Sequence, residues 1–170
     1  AETSSNWNSW AELMNGAVAP FVDDARVSNM QASSGSNSLF FLESTGSGGP
    51  QDIVFMFDTT QNITQSNLGM LSTPYVAGQL TFSQMMYVRA GAGAYFNFQA
   101  ENTPGITWSM DVQMDASGNI SFENGGGATQ FLSTTYPMGQ WFEIKLEVDL
   151  TNNNWEVFID GVLQGSFSNT

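Results

Sequence analysis

One segment near the end of the chain constrains the fold more than any other part of the sequence. Residues 141–150 alternate between an apolar set and a polar set, namely Phe142, Ile144, Leu146, Val148 and Leu150 against Glu143, Lys145, Glu147 and Asp149. This period of two is typical of a strand with one buried face. Polar residues at 151–154 predict a turn, and alternation resumes with Trp155, Val157 and Ile159 before Asp160-Gly161. The two strands form a hairpin whose apolar face needs a second sheet to cover it.

Short strand patterns separated by turn residues recur along the rest of the chain. Alternation predicts strands at 38–43, 53–57, 80–89, 95–99, 106–115 and 120–122. The segment 53–57 is apolar on both faces, which is typical of a central strand. Residues 1–20 are predicted to be an irregular segment, because Asn15-Gly16 interrupts a weak helical period. The sequence therefore predicts one all-β domain over residues 1–170, a two-sheet antiparallel β-sandwich.

The composition excludes several classes of function. Three Lys and Arg residues stand against 16 Asp and Glu residues, giving a formal net charge of -13, and the chain has no His and no Cys. Nucleic acids and anionic membranes bind basic surfaces, so neither is an expected partner, and sulfated or uronic polysaccharides are disfavoured for the same reason. Without Cys there is neither a disulfide framework nor thiol chemistry. No apolar run is long enough to span a membrane as a helix, so we expect no membrane insertion.

The closing hairpin resembles the last strands of laminin-G-like and legume-lectin-like domains, which are concanavalin A-like jelly rolls. The resemblance lies in a W-x-x-I-x-x-x-V-D strand, a loop and a strand ending in I-D-G, here Trp141, Ile144, Val148, Asp149, Ile159, Asp160 and Gly161. The segments MMYVRAGAGAYFNFQ and PGITWSMDVQMDASG are similar to a domain of large, secreted, multidomain bacterial proteins.

This resemblance implies a jelly-roll fold, tethered to other domains of a secreted or cell-surface protein. It also implies a concave sheet that binds glycan and, often, a structural calcium ion elsewhere in the domain. Because the same architecture carries lectins, glycosidases, lyases and adhesion domains, the function has to be argued from the site itself.

The polar side of the middle strands is the candidate ligand-binding surface. Its predicted members are Tyr87, Arg89, Tyr95, Asn97, Gln99, Asp111 and Gln113, which all fall in the phase opposite to the apolar residues. Aromatic rings pack on the apolar face of a sugar, while amides, carboxylates and guanidinium groups pair with hydroxyls. The sequence therefore favours a non-catalytic carbohydrate-binding module that binds polysaccharide on this face. An ordinary solvated sheet face is the competing interpretation of the same residues.

The tryptophans of the strands divide by phase. Trp108 and Trp155 fall in apolar phases and are predicted to belong to the core. Trp141 shares the polar phase with Glu143, and we expect it to cover an edge of the core rather than to bind ligand.

Three carboxylates are candidate calcium ligands, because calcium prefers several hard oxygens. Asp23 and Asp24 lie early in the chain and Asp160 lies near its end, so they meet if the first and last parts pair, as in many jelly rolls. No segment has the spacing of an EF-hand loop.

An enzyme is disfavoured. Glu147 and Asp149 are two residues apart, close enough for a glycosidase pair, but Lys145 interleaves the series and a solvated edge explains them. The segment YFNFQ is similar to a strand of jelly-roll alginate lyases, which also need a His and an Arg-rich strand that this sequence lacks. We therefore expect no enzymatic activity.

Two alternatives remain. One is a protein-interaction or adhesion domain, accessory to a secreted protease or adhesin, with an exposed apolar patch near Trp7 and Trp10. The other is a polysaccharide hydrolase or lyase with two close carboxylates in a cleft.

Overall fold

The described part of the chain consists of strands and the turns between them. The computed structural model describes residues 7–9 (backbone only), 25–42, 53–55, 75–101, 105–125, 127 and 129–169. These residues form twelve strands: β1 (Trp7–Ser9), β2 (Arg26–Ser28), β3 (Ser38–Phe40), β4 (Ile53–Phe55), β5 (Gln79–Tyr87), β6 (Ala94–Gln99), β7 (Trp108–Met114), β8 (Asn119–Glu123), β9 (Gln130–Thr135), β10 (Trp141–Asp149), β11 (Asn154–Ile159) and β12 (Val162–Phe167). No helix occurs among them, and the predicted all-β class is confirmed. It follows that this part of the chain contains no helix able to cross a membrane.

The chain divides into two compact units, of which the first comprises residues 1–73 and 101–104. Its described strands form two antiparallel pairs, β1 with β4 and β2 with β3. Among the described residues β4 pairs with β1, and the predicted central position of the segment beginning at Ile53 stays a prediction. The extent of a single domain over 1–170 stays a prediction.

The second unit, residues 74–100 and 105–170, contains two four-stranded antiparallel sheets. The β10 sheet has the strand order β12-β11-β10-β5, and the β7 sheet has the order β6-β7-β8-β9. The predicted closing hairpin is confirmed, since β10 and β11 pair in register from Ile144 opposite Ile159 to Asp149 opposite Asn154. Its turn places Asn153 at a φ of 52°, a left-handed conformation that Asn tolerates better than most residues. The Asp149 carboxylate accepts the Asn152 N–H at 3.0 Å and fixes the same turn.

A single apolar core lies between these two sheets. From the β10 sheet it takes every second residue of β10, together with Trp155 and Val157, as the alternation predicts. From the β7 sheet it takes Met110, Val112 and Phe122, all fully buried. The rings of Phe98 and Trp155, one from each sheet, pack edge to face with centroids 5.7 Å apart. Each fully buried side chain of this size stabilises the fold by about 1.5–3 kcal/mol. Because both sheets contribute such side chains to the core, the arrangement is sandwich-like.

Four strands have no counterpart in the sequence prediction: β1 and β2 of the first unit, and β9 and β12, which lie at sheet edges of the second. In β9 the partly buried Phe131 and Leu132 are adjacent, so the strict alternation is lost. In β12 a bulge between Val157 and Phe158 of the neighbouring strand shifts the register, and Gly165 interrupts the pattern. Because the alternation is broken in β9 and β12, their hydrophobic period is weaker than that of β5 and β6, which are also edge strands and which the sequence predicts.

Candidate functional site

The outward side of the β7 sheet carries most of the predicted ligand residues together. Cross-strand pairing places Tyr95 opposite Gln113 and Asn97 opposite Asp111, and paired residues share a face. The same pairing extends to β8, where Asp111 faces Glu123 and Gln113 faces Ser121. We call this surface the polar face: Tyr95, Asn97, Gln99, Asp111, Gln113, Ser121 and Glu123.

The orientation of the polar face confirms the predicted alternation of β6. Phe98 is buried in the core, whereas Tyr95 is 54% exposed, and Asn97 and Gln99 are partly exposed. Successive side chains of a strand point to opposite sides, so Phe96 and Phe98 take the core side and Tyr95, Asn97 and Gln99 the other.

A row of hydrogen bonds runs along β6. The Tyr95 hydroxyl donates to Asp111 Oδ1 at 2.5 Å and accepts from Asn97 Nδ2 at 2.9 Å. Gln99 Nε2 donates to Asn97 Oδ1 at 3.1 Å, and Gln99 Oε1 accepts the N–H of Gly105 at 2.5 Å. Each side chain in the row is held by the next, so the polar groups are fixed before any ligand arrives.

The β7 and β8 part of the polar face carries its charge. Asp111 is only 6% exposed although it lies on the side away from the core, and its carboxylate holds the Tyr95 ring in place. On β8, Glu123 accepts hydrogen bonds from Ser121 Oγ at 2.8 Å and from Gln113 Nε2 at 3.3 Å. Glu123 and Ser121 were not among the predicted residues, although their alternation with Ile120 and Phe122 in the sequence was the signal for them.

The polar face is acidic, and its strands carry no basic residue. The chain has three basic residues, Arg26, Arg89 and Lys145, and none of them lies on β6, β7, β8 or β9. Its two carboxylates and several amides accept hydrogen bonds from hydroxyl groups and repel anionic groups.

The prediction that Tyr87 and Arg89 share this face is wrong. Tyr87 ends β5, which pairs with β10 in the other sheet, and its ring packs on Trp141 with centroids 5.6 Å apart. Arg89 is exposed in the turn that follows, where the Ala92 N–H donates to the Arg89 carbonyl at 3.0 Å and Gly91 has a φ of 78°. This turn carries the chain from one sheet to the other instead of closing a hairpin. Alternation gives the same phase to β5 and β6, but their outward sides belong to different sheets.

The prediction for Trp108 is also wrong, whereas that for Trp155 is confirmed. Trp155 is buried in the core, but Trp108 is 40% exposed. A register shift between Phe98 and Gln99 pairs Phe98 with Met110 and Gln99 with Trp108, so Ser109 is the extra residue of a bulge. The extra residue changes the parity of the strand and takes Trp108 out of the apolar phase.

The outward side of the β10 sheet holds the carboxylates considered for catalysis. Lys145 Nζ pairs with Glu147 Oε1 at 2.7 Å and lies 4.2 Å from the centre of the Phe158 ring. Glu143 Oε1 accepts Ser83 Oγ at 2.5 Å. The hydrogen bond from the Asn152 side chain holds the pKa of Asp149 below its ordinary value. These groups make structural contacts with their neighbours, and the absence of catalysis stays a prediction.

Trp141 covers the end of this outward side beside Tyr87. Its indole Nε1 is buried and has no hydrogen-bond partner among the residues that the structure describes. The expectation that Trp141 packs rather than presents a free ring agrees with its partial burial against the Tyr87 ring.

Of the three predicted calcium ligands, Asp23 and Asp24 lie outside the described residues. Asp160 is exposed, and its Oδ1 accepts the Glu143 N–H at 2.8 Å, which links the two ends of the closing hairpin. Among the residues that the structure describes, no three His, Cys, Asp or Glu side chains converge. The structural calcium stays a prediction.

Comparisons with known proteins provide no assignment of this surface. No family model, curated protein or solved structure matches the chain. The function is therefore inferred from the geometry of the polar face and from the resemblance of the closing hairpin.

Proposed function

We propose that the chain is a non-catalytic carbohydrate-binding module that binds neutral polysaccharide on the polar face. In this proposal the two four-stranded sheets are a concanavalin A-like jelly roll, and the module belongs to a larger secreted or cell-surface bacterial protein. The hydrogen-bonded row of β6, with the exposed ring of Tyr95 at its end, is the observation that carries the proposal.

Fixed amides and an exposed ring suit a sugar for physical reasons. Sugar hydroxyls donate and accept in pairs, which matches the planar amides of Asn97 and Gln99. The apolar side of a pyranose packs on an aromatic ring, and the Tyr95 ring is held at its hydroxyl by both Asp111 and Asn97. Because these groups are already ordered, binding costs less conformational entropy.

The charge of the polar face selects the kind of polysaccharide. Asp111 and Glu123 accept hydrogen bonds, and Arg89 lies in the turn after β5 rather than on β6, β7, β8 or β9. Uronic and sulfated polymers therefore meet only negative charge on this surface, and neutral polymers are the favoured ligands.

A second candidate is protein binding by the first unit. The hairpin of β2 and β3 exposes the paired side chains Val27 and Leu39, together with Met30. Exposed apolar clusters of this kind mark protein-interaction surfaces, so an adhesion or accessory role is the alternative. The side chains of Trp7 and Trp10, near which an apolar patch was predicted, lie outside the described part of the chain.

Affinity-gel electrophoresis tests the proposal. Gels containing hydroxyethyl cellulose, xylan, galactomannan or mixed-linkage β-glucan are compared with gels containing alginate or polygalacturonate. We expect at least one neutral polymer to retard the wild-type chain and neither acidic polymer to do so. The double substitution Tyr95→Ala with Asn97→Ala removes the ring and the centre of the row, so it abolishes retardation.

Tyr75→Ala is the matched control, because Tyr75 is 52% exposed, almost the same as Tyr95, and lies outside the strands. We expect this variant to be retarded like wild type. Retardation that survives the double substitution moves the site off the polar face, and a wild-type chain that no neutral polymer retards refutes the proposed function.

A further inference from the structure

The exposed Trp108 lies at one end of the polar face, where the sequence pattern gives no reason to expect it. Its cross-strand partner is Gln99, whose amide closes the hydrogen-bonded row of β6. Directly opposed residues of an antiparallel pair share a face, so Trp108 belongs to the polar face and not to the core.

The bulge that places Trp108 there is held from both of its sides. Ser109 Oγ donates to the Phe98 carbonyl at 3.1 Å, and the Ser109 carbonyl accepts Asn169 Nδ2 at 2.6 Å. Gly125 packs so closely on Trp108 that a Cβ at Gly125 would lie 1.8 Å from the Trp108 carbonyl oxygen. These contacts fix the backbone from which the indole of Trp108 projects, so the ring is exposed on a rigid support.

Two exposed aromatic rings therefore lie at opposite ends of one row of amides. Tyr95 and Gln99 are four residues apart on β6, which separates their Cα atoms by roughly 13 Å at the rise of a strand. Trp108 lies beside Gln99, and Asn97 lies between the two rings. This separation is longer than a single sugar ring.

We infer that the polar face binds an extended oligosaccharide along β6, with Tyr95 and Trp108 as two separate stacking platforms. The inference rests on the proposed function and adds that the ligand is a chain of neutral sugars rather than a single sugar or a chain end. Trp108 is the platform that recognises length, because a short ligand in contact with Tyr95 does not reach it.

Isothermal titration calorimetry with cello-oligosaccharides and manno-oligosaccharides of two and six units tests this inference. We expect wild type to bind one of the hexasaccharides about tenfold more tightly than its disaccharide, since one stacked ring contributes about 1 kcal/mol or more beyond its polar contacts. Trp108→Ala removes this advantage of length and leaves the disaccharide affinity unchanged, whereas Tyr95→Ala weakens both.

Trp108→Phe keeps a ring on the same backbone and restores most of the advantage, and thermal melts of both variants verify that they fold. If Trp108→Ala binds the hexasaccharide and the disaccharide with the same affinities as wild type does, the inference is overturned while the proposed function stays intact. The absence of binding by wild type to any of the four sugars, together with no retardation by any neutral polymer, overturns both.

Discussion

Gly125→Ala tests directly whether the bulge at Trp108 exists as described. The added Cβ would lie 1.8 Å from the Trp108 carbonyl oxygen, 2.6 Å from its carbonyl carbon and 2.7 Å from its Cβ. Heavy atoms rest against each other at about 3.5 Å, so the methyl group has no room. All three atoms belong to the backbone or are bonded to it, so no change of rotamer relieves the contact.

The expected cost follows from this geometry. Overpacking a close-packed site costs about 1–3 kcal/mol, and a clash with backbone belongs at the upper end of that range. At about 2–4 °C per kcal/mol for a chain of this size, the melting temperature should fall by roughly 4–12 °C. Because Gly125 has no positive φ, alanine is compatible with its backbone conformation, so the loss reports the contact less the gain from the smaller entropy of the unfolded chain.

Gly165→Ala is the control for this experiment. Its added Cβ would lie 2.9 Å from Cδ1 of Leu132, the far end of a side chain that can rotate away, and Gly165 also has no positive φ. We expect a change within about 1 kcal/mol, because the relieved contact and the smaller entropy of the unfolded chain offset each other. Differential scanning calorimetry of both variants gives the comparison. Equal stability of Gly125→Ala and wild type would refute the close approach of Gly125 to Trp108.

Two further predictions concern the core and the hairpin turns. Phe122→Ala removes a fully buried ring and should lower the free energy of unfolding by about 3–5 kcal/mol, measured by urea denaturation, while Phe158→Ala on the outward side should cost much less. A cost for Phe122 as small as that for Phe158 would contradict a shared core. Hydrogen bonds from the Asn119 and Asn152 side chains lower the pKa of Asp115 and Asp149, respectively, so both carboxylates stabilise the fold above their ordinary pKa of about 4. That stabilisation should be lost as the pH falls from about 4 through the lowered folded-state pKa values. Combining Asp115→Asn with Asp149→Asn should therefore flatten the acid part of the unfolding profile that circular dichroism measures against pH. An unchanged profile would argue against the two turn contacts.

Much of the second unit could be predicted from the sequence. The alternation of β10 gave its buried residues, its pairing with β11 and the turn between them, because a strand with one covered face has a local and strong period. The same rule placed Phe98 toward the core and Tyr95 away from it. The strands β9 and β12 carried a weaker period because their alternation is broken, and the sequence did not reveal them.

The candidate site could be predicted only in part. The β6 and β7 members are together, but Tyr87 at the end of β5 and Arg89 in the turn after it are apart from them, because the hydrogen-bonded neighbour of a strand is a property of residues distant in sequence. Glu123 joins the site through pairing of β8 with β7, which the alternation of either strand does not specify.

For the strands with regular alternation, the sequence by itself determined which side is apolar, since side chains alternate along an extended backbone. Only the tertiary structure decided which polar sides lie next to each other. The turn after Arg89 moves the chain between sheets and separates Tyr87 from Tyr95, and the single extra residue at Ser109 brings Trp108 onto the polar face. Both events depend on pairing between strands, and a period of two within one strand carries no information about its partner.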